Sequence, residues 1–68
     1  MDPSIYKIVE LVGTSPNGWE EAVESVVTRA SKTLRNIRIV EVLKLDAKVD
    51  DGKVILYRAK VNLSFKFE

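Results

Sequence analysis

The sequence predicts an α+β fold in which the elements follow the order β-α-β-β. Three observations support this prediction: a β-rich run ends at Gly13, a helical repeat of apolar residues follows it, and two long alternating segments flank the dipeptide Asp51-Gly52. An Asp-Gly dipeptide between such segments is a strong signal for a tight antiparallel hairpin. We therefore expect a single domain spanning residues 1–68, with a three-stranded, mainly antiparallel sheet wrapped around one amphipathic helix.

The length and composition indicate a chain whose own core is marginal. At 68 residues, it is expected to bury only about 60% of the surface of its unfolded form. It contains neither cysteine nor histidine, which excludes disulfides, Cys/His zinc sites and catalysis by a cysteine or histidine side chain. Small chains without such devices are commonly stabilised by association, so we expect a homo-oligomer.

The distribution of charged and apolar residues argues against two classes of partner. The 11 basic and 10 acidic residues are interspersed and give a net charge of +1, whereas a nucleic-acid-binding protein usually carries a basic face or run. No apolar stretch approaches the roughly 20 residues of a membrane span, and the residues after Met1 lack the basic start and apolar run of a secretory signal. We therefore expect a cytoplasmic protein with no nucleic-acid or membrane partner.

The first strand, predicted from Ile5 to Val12, is apolar on both of its faces. Its odd positions include Val9 and Leu11, and its even positions include Tyr6 and Ile8. Because successive side chains of a strand point to opposite faces, a single helix covers only one of these sets. The other set predicts contact with a second surface.

The helix is predicted from about Pro16 to Leu34. Ser15 is the expected N-cap, with a hydroxyl that accepts hydrogen bonds from first-turn amides, and Pro16 suits the first helical position. Trp19 begins an apolar stripe with helical spacing and is expected to be a core or interface anchor. The other members of the stripe are Ala22, Val23, Val26, Val27, Ala30 and Leu34.

The second and third strands are predicted from Ile37 to Val49 and from Lys53 to Phe67. A two-residue turn between them, with no further irregularity, fixes the partner of every residue in the hairpin. The resulting opposed pairs are Val40–Leu63 and Val42–Val61 on the helix side, and Ile39–Ser64, Glu41–Asn62, Leu43–Lys60 and Leu45–Arg58 on the other side.

This register predicts an apolar row on the face of the sheet away from the helix. The row consists of Ile39, Leu43 and Leu45. An exposed apolar row of this kind is typical of an interaction surface. Together with Trp19, these three residues are the expected assembly contacts.

The order of elements and several motifs of the chain resemble the dodecin family. The likeness begins with the run Tyr6–Ser15, continues through the amphipathic helix, and ends with the strand residues Val61–Phe67. Its most specific part is the Gly13-Thr14-Ser15 hinge after the first strand. The resemblance implies a hollow, roughly spherical homododecamer of β-α-β-β subunits that stores or buffers a small ligand or ion and is not an enzyme.

The resemblance also implies positions for a flavin site. Dodecins that bind flavin hold pairs of flavins at subunit contacts, stacked on a strand tryptophan and hydrogen-bonded by a glutamine. In this chain Ile39 stands at the tryptophan position and Arg58 at the glutamine position, and Glu41 shares their face of the sheet. Ile39 has no aromatic ring for stacking, and Arg58 only donates hydrogen bonds. Binding of FMN or riboflavin with altered affinity is therefore an alternative to a lost flavin site.

The hinge of the chain resembles a second branch of the family, the calcium dodecins. This likeness rests on Ser15–Glu20, in a chain that has no tryptophan in its second strand. Calcium takes six to eight oxygen ligands, and the candidate carboxylates are Asp46, Asp50, Asp51, Glu20 and Glu24. Turn formation by Asp51 and the interaction of Glu20 with the helix dipole explain these carboxylates without a metal. Single carboxylates from several chains are a further way to build such a site.

Two further hypotheses concern charged side chains. Glu41, between two apolar residues of its strand face, is a candidate general acid or base for an unassigned reaction; an ion pair between subunits with Lys60 or Arg58 is the alternative. The candidates for binding a phosphate or another anion at a subunit contact are Arg58, Lys60, Arg35 and Arg38.

Overall fold

The computed structural model describes residues 4–67 and confirms the predicted order of elements. These elements are β1 (Ile5–Ser15), α1 (Trp19–Ala30), β2 (Ile37–Asp50) and β3 (Lys53–Phe67). Strand β3 lies in the centre of the three-stranded sheet, with β1 and β2 antiparallel to it on either side. The α+β prediction is therefore confirmed. Residues 1–3 and 68, which belong to the predicted domain and include the start of the chain, lie outside the described residues.

The helix begins later than the sequence predicts, at Trp19 rather than Pro16. Ser15 is the last residue of β1 and pairs with Tyr57. Gly18 occupies the N-cap position, and no side chain caps the helix there. The predicted N-cap role of Ser15 and helical position of Pro16 are therefore wrong. The physical reason is that a residue before proline favours an extended backbone, which holds Ser15 in the strand.

The helix also ends earlier than its apolar stripe predicts, at Ala30 rather than Leu34. The carbonyl oxygen of Ala30 accepts hydrogen bonds from the backbone N–H groups of Thr33, at 3.0 Å, and Leu34, at 2.8 Å. The chain then passes through Asn36 with a φ of 63°, a left-handed conformation that asparagine tolerates better than most residues. Within residues 4–67, none of the helical structure has the length and apolar character that a membrane crossing requires.

The hairpin between β2 and β3 has the predicted turn. Asp51 and Gly52 have φ values of 51° and 72°, and left-handed conformations at both central positions characterise a type I′ turn. Four predicted pairs are confirmed: Val40–Leu63, Val42–Val61, Ile39–Ser64 and Glu41–Asn62.

One part of the predicted register is wrong, because Ile55 is an extra residue in β3 and Leu43 is an extra residue in β2, and the pairs between these two bulges are shifted by one residue. The observed pairs next to Leu43 are Val42–Val61, Lys44–Lys60, Leu45–Ala59 and Asp46–Arg58. Leu43 therefore does not pair with Lys60, nor Leu45 with Arg58. A register shift of one residue moves a side chain to the other face of a sheet. As a result, Leu45 lies on the helix side and does not extend an outer apolar row from Ile39.

The core is small and lies where α1 crosses the sheet. Its buried members are Ala22 and Val26 from the helix and Ala59, Val61 and Leu63 from β3. Gly13 of β1 is also buried beneath the helix. Glycine and alanine at this crossing allow the helix backbone to approach the strands closely.

The helix leaves a large part of the apolar surface uncovered. It packs mainly against β1 and β3 and least against β2. Consequently Val42 and Leu45, on the helix side of β2, are 46% and 47% exposed. Exposed apolar side chains therefore occur on this side of the sheet as well as on the side away from the helix.

Candidate functional site

The outer face, which is the side of the sheet away from α1, carries the positions expected to bind a ligand. Its side chains come from alternate residues of the three strands. They include Tyr6, Ile8, Glu10, Val12 and Thr14 from β1, Arg58, Lys60, Asn62, Ser64 and Lys66 from β3, and Ile39, Glu41, Lys44 and Asp46 from β2. The register thus places the three family flavin-site positions on one face.

The outer face contains large apolar side chains that stay exposed. Ile8 and Ile39 flank Ser64 across the central strand and are 60% and 58% exposed. Val12 is also exposed, as is Leu43 at the bulge. Contiguous exposed apolar side chains mark an interaction surface, so this face supports contact with another molecule.

A row of polar side chains crosses the sheet next to this apolar row. Asn62 is flanked by Glu10 on one side and Glu41 on the other. Glu10 approaches Lys60, with 3.7 Å between Oε1 and Nζ. Glu41 is exposed, and its ion pair with Lys60 or Arg58 stays a prediction for a contact between copies.

Arg58 forms a bidentate ion pair with Asp46. Its Nε donates to Oδ1 at 2.7 Å and its Nη2 donates to Oδ2 at 2.9 Å. The hydrogen bonds from Arg58 lower the pKa of the Asp46 carboxyl, desolvation opposes this shift, and the charges of Arg58 and Lys44 add to it. The same hydrogen bonds raise the pKa of Arg58. The bulge at Ile55 in β3 creates this pair, because it shifts the register that starts at the turn by one residue and brings Asp46 opposite Arg58.

The two positions of the flavin resemblance do not meet within one chain. Ile39 pairs with Ser64, and Arg58 lies six residues from Ser64 along β3. At about 3.3 Å per residue, this separation is about 20 Å. A ligand that contacts both Ile39 and Arg58 therefore needs two copies of the chain.

Trp19 joins the start of α1 to the hairpin. Its Nε1 donates a hydrogen bond of 2.9 Å to the backbone oxygen of Asp46. Its ring makes an edge-to-face contact with Tyr57, with 5.0 Å between the ring centroids. Trp19 is nevertheless 41% exposed. It therefore anchors the helix to the sheet and keeps part of its ring available for a further contact.

A network of three polar side chains closes the connection between β1 and α1. The hydroxyl of Ser15 donates to Oε2 of Glu21 and accepts a hydrogen bond of 3.0 Å from the backbone N–H of Asn17. Nδ2 of Asn17 donates to the same Oε2 at 2.7 Å. Hydrogen bonds from Ser15 and then Asn17 lower the pKa of Glu21, against a smaller opposing effect of desolvation. The sequence signal for this network is a glutamate at the third helical position, from which a capping-box side chain reaches back.

We expect this network to make the stability of the fold depend on pH in the acid range. Because the pKa of Glu21 is lowered from 4.5 in the folded state, its stabilisation is fully present above the unfolded pKa and is lost as pH falls through the folded pKa. Glu21→Gln should therefore show a smaller decrease in Tm than the wild type between about pH 6 and about pH 3.

The measurement is thermal unfolding by circular dichroism at one fixed protein concentration, with Asp50→Asn, at an exposed position at the end of β2, as the control. The control should keep the wild-type decrease. The Asp46 carboxyl, whose pKa is also lowered, contributes a dependence of Tm on pH that both variants retain. A Glu21→Gln protein whose Tm falls as steeply as that of the wild type would contradict the prediction.

Two apolar grooves flank α1 on the helix side of the sheet. The β1 groove has a volume of about 580 Å³ and includes Val9, Leu11, Val26, Arg29 and Leu34. The β2 groove has a volume of about 510 Å³ and is lined by Trp19, Glu20, Val23, Glu24, Val42 and Leu45. The charged side chains in the two grooves have opposite signs.

The candidate calcium ligands lie in separate places. Asp46 belongs to the outer-face ion pair, and Asp50 and Asp51 lie at the end of the hairpin. Glu20 and Glu24 line the β2 groove. Among residues 4–67, no three acidic side chains come close enough together to hold a metal ion. A calcium site therefore stays a prediction.

The basic candidates for anion binding are also divided. Arg58 and Lys60 lie on the outer face, and each contacts a carboxylate. Arg35 precedes β2, and Arg38 is an extra residue at a further bulge near the start of that strand. Anion binding by all four side chains is therefore a prediction that also requires several copies.

The fold and its surfaces define a class of protein: a small β-α-β-β subunit with apolar side chains exposed on both sides of its sheet. The family model described as Dodecin matches residues 5–68. The chain therefore belongs to the dodecin family, as the hinge and the element order predict.

Individual relatives agree with this assignment. The calcium dodecin of Mycobacterium tuberculosis is 41% identical over 63 residues, which cover 93% of this chain and 89% of the relative. The dodecin of Thermus thermophilus is 38% identical over 64 residues, covering 94% and 93% of the two chains. The solved structure of dodecin from Streptomyces coelicolor superimposes with a TM-score of 0.95 at 40% identity, covering 100% of this chain and 97% of that one.

Proposed function

We propose that the protein is a non-enzymatic subunit of a dodecameric, cytoplasmic shell that binds and sequesters a small ligand or ion at contacts between copies. The observation that carries this proposal is the apolar surface left exposed on both sides of the sheet. One helix of 12 residues covers only the core crossing. Membership of the dodecin family supports a shell of twelve copies as the way in which this surface becomes covered.

The energetics of burial support association. Ile8 and Ile39 on the outer face, and Val42 and Leu45 on the helix side, are each between 46% and 60% exposed. Complete burial of such a side chain contributes roughly 1.5–3 kcal/mol relative to full exposure. Burying the exposed half of four such side chains per chain therefore contributes roughly 3–6 kcal/mol, which is comparable with the whole stability of a domain of this size.

The candidate sites within one chain are incomplete, and this also supports a ligand site between copies. The family flavin positions do not fit the flavin group, because Ile39 offers no ring and two donors of Arg58 are engaged by Asp46. Retained flavin binding would then have altered affinity. The candidate catalytic role of Glu41 is not part of the proposal, since an exposed carboxylate opposite Asn62 lacks the enclosed cleft that catalytic groups usually occupy.

A calcium ion is the alternative cargo. The relative from Mycobacterium tuberculosis carries the name calcium dodecin, and its identity to this chain supports a similar ligand here. Calcium requires six to eight oxygen ligands, so the carboxylates of one chain fit only if symmetry-related copies bring them together. Glu20 and Glu24, which line the same groove, offer two such carboxylates per copy.

Native mass spectrometry of protein purified without added ligand tests the proposal. The expected spectrum shows twelve chains, with mass adducts that identify a small molecule or a cation. Removal of a calcium adduct by a chelator, and its return on titration with calcium chloride, would assign the cargo to the ion. Monomers or dimers at low micromolar concentration would overturn the proposal.

A further inference from the structure

We propose that the β2 groove is a docking site for a second copy of this chain, which inserts its basic connection head to tail. The basic connection is the segment 31–38, which leads from α1 into β2. This inference rests on the association in the proposed function and names the two surfaces that form one of its contacts.

The groove has an apolar floor and an acidic rim. Trp19, Val42 and Leu45 on its floor are 41%, 46% and 47% exposed. Glu20 and Glu24 lie along its helical edge, one turn apart and both exposed. Like charges at this spacing destabilise a helix slightly, so a cationic partner beside them would relieve an unfavourable interaction as well as cover the floor.

The basic connection has the complementary character. Lys32, Arg35 and Arg38 are exposed, while Leu34 and Ile37 between them are half-buried. The segment 31–38 contains no acidic residue. It therefore presents cationic side chains together with an apolar body, which is what the floor and rim of the β2 groove accommodate.

The two surfaces cannot meet within one chain. Glu20 lies in the first turn of α1, whereas Arg35 follows the helix beyond its last residue. The 12 residues of the helix span about 18 Å at 1.5 Å per residue. Contact must therefore form between copies. Because it joins two different surfaces, it is heterologous, and each copy uses its groove toward one neighbour and its basic connection toward another. In a closed shell, contacts of this kind form rings around a symmetry axis.

Charge reversal on each surface, followed by reversal of both in one chain, tests the pairing. Glu20→Lys with Glu24→Lys, and Lys32→Glu with Arg35→Glu, should each raise the concentration needed for full assembly by roughly tenfold or more, because like charges then face each other. Combining all four changes should restore assembly, since every contact regains opposite charges. Size-exclusion chromatography with light scattering at about 0.15 M salt is the measurement.

Circular dichroism confirms that each variant keeps its helix, and Thr28→Lys is the matched control. Thr28 is exposed on the same helix and lines neither groove, so its substitution should leave assembly unchanged. Double variants that assemble like the wild type would overturn this inference and leave the proposed shell intact. A variant with all four substitutions that assembles as poorly as the two double variants would also overturn the pairing. A wild-type monomer would overturn both the inference and the proposed function.

Discussion

We expect Gly13→Ala to remove most of the stability of this fold. A Cβ at residue 13 would overlap Cγ2 of Val26 and the carbonyl oxygen of Ala22. A valine side chain adjusts by rotation, but the carbonyl belongs to the backbone of α1, so the helix itself has to move. Overpacking of a core costs about 1–3 kcal/mol and sometimes more. Here the displaced element is the helix that covers the core, so we expect the free energy of unfolding to decrease by about 3 kcal/mol or more.

The measurement is urea or thermal unfolding at a fixed protein concentration, because association makes Tm depend on concentration. For a chain of this length, 3 kcal/mol corresponds to a decrease in Tm of more than about 10 °C. Gly18→Ala is the control, since a Cβ there meets nothing within 4 Å and the φ of 165° suits any residue. Gly18→Ala should lower the free energy of unfolding by no more than about 1 kcal/mol. Equal stability of the two variants would show that the helix shifts freely over the sheet.

Gly13 also illustrates how far the sequence predicts the fold. The sequence has a glycine after a β-rich run, and this pattern predicts the end of the strand. The structure continues β1 to Ser15, and the glycine serves the close approach of the helix instead. An isolated glycine within a strand often has this role. A sequence pattern alone does not distinguish a glycine that ends a strand from one that lets a helix approach closely, because both leave the same spacing between strand and helix.

The hairpin was predictable except between two bulges. The Asp51-Gly52 turn fixes the pairs next to it through local conformational preferences, and the predicted pairs at Ile39 to Val42 are also observed, because the register shifts at Ile55 and Leu43 cancel. Between these bulges, apolar Leu43, Leu45 and Ile55 fit either face of the sheet, so the alternation gives no signal for an extra residue. The shift nevertheless decides the chemistry of the outer face, because it places Asp46 rather than Leu45 opposite Arg58.

The contacts around the start of α1 were the least predictable part of the candidate site. The hydrogen bond from Trp19 ends on the backbone oxygen of Asp46, and a backbone acceptor leaves no trace in the side-chain sequence. The sequence predicts that the Ser15 hydroxyl accepts from first-turn amides, whereas it accepts from the backbone N–H of Asn17, which precedes the helix. Its hydroxyl joins a network with Glu21 and Asn17, because β1 extends to this residue and delays the helix until Trp19.

We expect the wild-type protein to leave riboflavin fluorescence unquenched, and the variant Ile39→Trp with Arg58→Gln to quench it. The tryptophan supplies a stacking surface at a position that is 58% exposed on the outer face, and stacking of a base on an aromatic side chain contributes about 1–3 kcal/mol. Glutamine replaces a donor-only side chain by an amide that donates and accepts. Loss of the pair between Arg58 and Asp46 should change stability little, because both side chains are exposed and exposed ion pairs contribute little.

Fluorescence titration of riboflavin with each protein provides the measurement, and Leu43→Trp with Arg58→Gln is the matched control. Leu43 lies on the same strand and is 43% exposed, so its substitution adds a comparably accessible ring at the bulge. Because Ile39 and Arg58 are about 20 Å apart within one chain, a shared ligand depends on how two copies meet, and only the Ile39 position should support it. Quenching by the wild type would show that a ring at residue 39 is unnecessary. Equal quenching by the control would show that any exposed tryptophan suffices, and would remove Ile39 and Arg58 as determinants of ligand choice.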